Sequence, residues 1–176
     1  NQVSIKRTIS QTHKIQMKSK IIFSCIIISI CIFFSCDKNK ISQKYFEINE
    51  KKWTYANAFT FETEIKDTNQ LYNIFFQVRH TNLYAFNNLW ILVKTKYPDG
   101  KIFEKRVELV LSDDRGNWVG NCSSDICDAK IPFQYDARFN KKGKYYFIIE
   151  QNMRKNPLDE ILAIGLRVEI SDTKKG

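Results

Sequence analysis

Beyond residue 53, apolar residues in this chain recur mostly at every second position, and short polar turns separate the stretches. Phe59-Thr60-Phe61-Glu62-Thr63-Glu64-Ile65 alternates apolar and polar, as a half-buried strand does. Asp67-Thr68-Asn69-Gln70 then turns the chain. Leu71 to Arg79 predicts the next strand, with Ile74, Phe76 and Val78 on one face. Thr81 to Asn88 reads as a long aromatic loop, and Leu89 to Lys96 as a strongly apolar strand. Tyr97-Pro98-Asp99-Gly100 is a hairpin turn with Pro and Gly where one needs them. Lys101 to Leu111 predicts the return strand, and Asn117-Trp118-Val119 a short one. Residues 120–130 read as a polar loop, and Ile131 to Tyr135 as a short edge piece, because Pro132 cannot donate to a ladder. Lys144 to Gln151 and Leu162 to Ile170 close the domain as strands, with a helical turn at Leu158 to Ile161 between them. No long segment has a 3.6-residue period.

Seven or eight strands spaced by turn signals predict an all-β fold, an antiparallel β-sandwich of jelly-roll or Ig-like type. Two sheets allow Phe61, Phe76, Trp90, Leu92, Val107, Leu109, Phe147, Ile149, Leu166 and Val168 to be buried between them.

The first third of the chain reads differently. An uncharged apolar run, Ile21 to Ser35, follows Lys18 and Lys20 and ends at Cys36 before the polar Asp37-Lys38-Asn39-Lys40. This is the layout of a secretory signal peptide. Phe33-Phe34-Ser35-Cys36 resembles a bacterial lipobox, although Phe33 stands where Leu is usual. That resemblance implies diacylation of the Cys36 thiol, cleavage before it and acylation of the new amino terminus. A retained transmembrane anchor is the alternative, but the run is shorter than the roughly 20 residues that span a bilayer. The expected division is therefore an upstream extension over 1–16, a signal peptide over 17–35, a lipidated tether over 36–52 and a β-sandwich over 53–172. Met17 is the natural start of such a signal.

With the signal removed, about 140 residues remain, enough for one domain with a substantial core. The formal charge of +9 falls to about +4, since Lys6, Arg7, Lys14, Lys18 and Lys20 all precede Cys36. The remaining charges are interspersed, which suits a solvated surface and excludes a nucleic-acid groove. Cys25 and Cys31 leave with the signal, and Cys36 takes lipid. Cys122 and Cys127 remain, a candidate disulfide in an exported domain, with two free thiols as the alternative. One histidine, His80, lies beyond the signal, so neither a zinc site nor a His-dependent nucleophile has its partners. No cofactor motif occurs. Asp113-Asp114 sits in a turn, where Asp bonds local backbone.

Several ordered segments resemble the gliding motility lipoprotein GldH family of Bacteroidetes. They are Asp67-Thr68 with Tyr72-Asn73, Arg79-His80-Thr81-Asn82-Leu83-Tyr84 with Asn88-Leu89, and Pro98-Asp99-Gly100. Gly116-Asn117-Trp118-Val119-Gly120, Gly143-Lys144-Tyr145, Gln151-Asn152-Met153-Arg154 and Gly165-Leu166-Arg167-Val168-Glu169 follow. The resemblance implies a non-enzymatic lipoprotein of the cell envelope, needed for gliding and linked to type IX secretion. It implies an outer-membrane anchor with the domain facing the periplasm. A candidate docking surface follows from Arg79, Asn82, Tyr84 and Arg154, since exposed aromatics with Arg mark interfaces. Tyr84 folded into the core is the equal alternative. A second functional class is a lipid-anchored carbohydrate-binding jelly roll, with Trp90, Trp118, Tyr72 and Tyr84 as an exposed row of rings.

Overall fold

Eleven strands form among the described residues, which in this computed structural model are 39–173. These residues lie in one unit, Asn39–Gly176. The upstream extension, the signal peptide and Cys36 lie outside the described residues.

One sheet has five strands, in the order β1 (Lys40–Glu47), β11 (Ile161–Ile170), β4 (Tyr72–Thr81), β8 (Ile126–Ala137) and β7 (Asn121–Ser123). The other has four, in the order β3 (Phe59–Ile65), β9 (Gly143–Gln151), β5 (Asn88–Lys96) and β6 (Ile102–Val110). A two-residue pair, β2 (Lys52–Trp53) with β10 (Leu158–Asp159), completes the set, and every pairing is antiparallel. The two sheets pack as a sandwich. Phe61, Phe76, Leu109, Phe147, Ile149, Leu166 and Val168 are buried between them, and Val107 packs partly buried against them.

Several expectations need correction. The tether is shorter than read, because residues 40–47 form an edge strand paired with β11 from Glu47↔Ala163 to Lys40↔Glu169. Its sequence looked like linker because only one side touches the core. Phe46 stacks on Phe59 at 5.3 Å and meets Phe61 edge-on at 5.0 Å, while backbone pairing supplies the rest. Residues 120–130 are not a loop. Asn121–Ser123 and Ile126–Ala137 form a hairpin in which Cys122 and Cys127 face each other and are joined by a disulfide. Leu158–Asp159 pairs with Lys52–Trp53 instead of making a helical turn. The predicted strand at 117–119 shrinks to a single bridge, Ser112↔Trp118.

Pro132 sits on β8 beyond the reach of the short β7, so that stretch of β8 is paired on one side only, as its missing N–H requires. Gly100 closes the β5–β6 turn with φ of 84°, a conformation that costs glycine least.

β5 is turned over relative to the expectation. Leu89, Ile91 and Val93 are buried, and Trp90 and Leu92 face outward. Five consecutive apolar residues carry no period-2 signal, so pairing with β6 and β9 decides the face.

His80 is fully buried on β4. Its ring lies 4.6 Å from Trp118 and 5.7 Å from Tyr84. Nδ1 lies 2.9 Å from the Thr81 carbonyl oxygen and donates to it, while Nε2 has no partner among the described residues. Burial lowers its pKa below the ordinary 6.5, outweighing the Thr81 carbonyl and the Asp128 carboxylate, which raise it. The unfolded chain therefore takes a proton that the folded chain resists. Stability is full above the unfolded value and falls as pH drops below it. The denaturant midpoint is expected to be lower at pH 5 than at pH 7. His80→Gln should flatten that difference, and an unchanged slope in the variant would remove His80 as its source.

Candidate docking site

The outward turn of Trp90 sets up a cleft on the described surface. Trp90 lies diagonally across from Arg106 on β6, whose guanidinium carbon sits 4.1 Å from the indole centroid. Beyond β9 the chain turns through Asn152-Met153-Arg154-Lys155. The Asn152 N–H donates to the Trp90 carbonyl at 2.7 Å, and the Trp90 N–H points at Met153 Sδ at 3.2 Å. With Phe86 from the loop before β5, these residues line a cleft of 650 Å³.

Gln151 holds the turn from below. It is a buried polar side chain at the end of β9, 2% exposed. Its Oε1 accepts the Met153 N–H at 2.9 Å. Its Nε2 reaches the carbonyls of Trp53 at 3.4 Å and Lys155 at 3.3 Å. From outside, the Tyr55 hydroxyl donates to the Met153 carbonyl at 2.6 Å, and the Tyr55 N–H donates to Asn156 Oδ1 at 3.0 Å. The backbone of the loop bearing Arg154 is thus held at both faces.

Charge in this cleft is one-sided. Arg106, Arg154 and Lys155 line it, and no carboxylate does. The nearby acids are already engaged: Glu150 by Lys94 at 2.7 Å, Asp159 by Lys155 at 2.6 Å, and Glu108 by Asn88. Arg106 and Arg154 have no ion pair among the described residues. Phe86, Trp90 and Met153 supply apolar walls.

The four residues expected to form one patch are dispersed. Arg154 lines this cleft. Tyr84 is buried at 4% exposure, packs against His80, Phe86 and Trp118, and donates its hydroxyl to the Asn88 carbonyl at 2.9 Å. Burial raises its pKa well above the ordinary 10. Asn82 is exposed and donates to Asp125 Oδ1 at 3.1 Å. Arg79 lies on the outer face of the five-stranded sheet, bonded to Asp128 at 2.8 Å, and that carboxylate raises its pKa further.

Arg79 shares that face with other paired polar groups. Arg167 bonds Glu169 at 2.6 Å and Gln43 at 3.1 Å, Gln43 bonds Gln77 at 3.1 Å, and Lys130 lies 3.8 Å from the Phe75 ring centroid. Gly165 leaves room there for Tyr45, since a Cβ would sit 2.8 Å from that ring. These groups satisfy one another.

The row of rings that a saccharide would need is not formed. Tyr72 and Tyr84 are buried and Trp118 is partly so. The Trp90 ring reaches a cleft, but Arg106 covers one of its faces.

Sequence reasoning had placed Trp90 in the core or in a row of sugar-binding rings, and it missed Arg106, Lys155 and the supporting Gln151. The Gln151-Asn152-Met153-Arg154 segment was the signal nearest to them.

The family description "GldH lipoprotein" matches residues 40–168. The chain belongs to the GldH lipoprotein family. The match begins at the first residue of β1 and ends within β11, so it takes in both sheets of the sandwich. Among relatives, the chain is 31% identical over 163 residues to a gliding motility lipoprotein GldH homolog of Christiangramia forsetii, covering 89% of this chain and 99% of that one. It is 29% identical over 154 residues to the gliding motility lipoprotein GldH of Flavobacterium johnsoniae, covering 84% and 95%. Among solved structures, a carbohydrate-binding module specific for non-crystalline cellulose is 11% identical, covers 74% of this chain and 75% of its own, and has a TM-score of 0.40. That likeness is too distant to carry an argument about a ligand of this GldH-family chain.

Proposed function

We propose that this protein is a non-enzymatic, lipid-anchored component of the gliding machinery that works by docking to other envelope proteins. The observation that carries the reading is the nearly full-length match to two relatives, both named as gliding motility lipoproteins. The apolar run ending at Cys36 supports a lipid anchor on that residue. Anchoring would place the domain at the outer membrane, facing the periplasm, within reach of gliding and type IX secretion proteins. A docking role fits a fold whose one described histidine is walled in by Trp118 and Tyr84, while a preformed cationic cleft faces solvent.

The anchor gives a direct test. Two or more acyl chains hold a protein stably on a membrane, and one does so marginally. Cys36→Ala is therefore expected to abolish labelling by a fatty-acid probe, to release the protein from the membrane fraction and to fail to restore gliding in a deletion strain. A labelled Cys36→Ala protein would refute the lipidation site. A deletion strain that glides normally would refute the motility role.

A further inference from the structure

We propose that the cleft over β5 is the binding site for an acidic peptide segment of a partner protein, one in which a carboxylate side chain neighbours an apolar one. This deepens the docking reading and rests on it.

Charge complementarity carries the proposal. Two guanidinium groups, Arg106 and Arg154, line one cleft with no ion pair of their own, and Lys155 lines it too. Elsewhere on the same sheet, Lys94 meets Glu150 and Lys144 meets Glu62. A guanidinium offers a planar fork of donors that matches a carboxylate with two parallel bonds. The Arg106 guanidinium carbon sits 4.1 Å from the Trp90 ring centroid, so the indole gives that group a neighbour that limits its freedom. Arg154 comes from a loop whose backbone is already held by Gln151 and Tyr55, so only its side chain has to be ordered on binding.

The apolar walls narrow the ligand further. Phe86, Trp90 and Met153 form a surface suited to a hydrocarbon side chain rather than to a bare inorganic anion. The Asn152 carboxamide, also on the lining, supplies a donor and an acceptor for a peptide backbone. An acidic glycan shares the carboxylate, but its rings would have to stack, and Arg106 lies over one face of Trp90 while Tyr72 and Tyr84 are buried. The cleft thus fits a carboxylate beside an aliphatic or aromatic side chain on an extended chain.

The test uses the full lipidated chain in detergent on an array of immobilised peptides. Each peptide places Asp or Glu beside Leu, Phe or Met, and each stands next to its Asn or Gln counterpart. Acidic oligosaccharides share the surface. Binding is expected to the carboxylate peptides and not to the carboxamide counterparts, and to weaken as salt is raised. Arg106→Ala and Arg154→Ala should each weaken it about tenfold or more, as removal of an Arg anchor does. Lys142→Ala, in the turn before β9, should leave it unchanged, and melting curves should show all three variants folded. Equal binding to the carboxamide peptides, no binding, full binding by both Arg variants, or binding of the oligosaccharides alone would overturn the proposal. Failure on the array with gliding still lost on deletion removes this cleft and leaves the docking role standing. Normal gliding of the deletion strain removes the role itself.

Discussion

Trp53→Ala is expected to destabilise the domain by about 3–5 kcal/mol, the usual cost of emptying a buried aromatic site. That is a large share of the roughly 5–15 kcal/mol by which a domain is stable. Trp53 has no exposed surface. Its indole N–H donates to the Asn57 carbonyl at 2.8 Å, and its ring lies 5.6 Å from Phe59. Its backbone pairs with Leu158, and its carbonyl faces Gln151 Nε2. The substitution would therefore open a void and also loosen the strand pair that braces the turn carrying Arg154. The expected readings are a lower denaturant midpoint and lower steady-state protein in cells. Gliding should fall in step with protein level. A variant as stable as the parent would show that the β2–β10 corner can collapse around the missing ring.

Tyr84→Ala is the second large effect. A solvent-facing interface residue would leave stability alone, but Tyr84 is 4% exposed and touches His80, Phe86 and Trp118. The expected loss is about 3 kcal/mol or more from the void and the aromatic contacts. Tyr84→Phe keeps the ring and removes only the bond to the Asn88 carbonyl, so it should cost about 1 kcal/mol. Measured together, melting temperature should fall in the order Phe then Ala, and gliding should fail only where protein is lost. Lost gliding with full stability and full protein level would return Tyr84 to the surface.

The contrast with Arg154 is the useful one. Arg154 is exposed on a braced loop and has no ion pair among the described residues, so its removal should spare the fold. Both residues stood in the same expected patch because both lie near recognisable segments. Tyr84 completes the core at one end of β5, and Arg154 caps the opposite side of that strand's sheet. Chain order cannot tell these two settings apart, because neither residue belongs to a strand with a period to read.

Much of the sandwich was legible in the chain. Phe59–Ile65 alternates cleanly, Pro98-Asp99-Gly100 fixes a hairpin, and the strands around Phe76, Phe147 and Val168 present one apolar face each. Period-2 alternation and turn chemistry are local properties, and local backbone sterics suffice to produce them. β1 and the β7–β8 hairpin were not legible. Their stability comes from backbone pairing with β11 and β4 across long sequence separations, and such pairing leaves little mark on side-chain composition.

The sequence by itself determined that this is an all-β domain preceded by an apolar run from Ile21 to Ser35, with turns at Asp67 and Pro98 and with a GldH pattern along most of its length. Only the tertiary structure decided which way β5 faces. Leu89 to Val93 are apolar at every position, so either parity satisfies the chain locally. The partners β6 and β9 choose the one that buries Leu89, Ile91 and Val93. That choice puts Trp90 outside, brings Arg106 over its ring and sets both beneath the loop of Arg154. The cleft exists because three segments distant in sequence meet on one sheet face, and no local pattern encodes such a meeting.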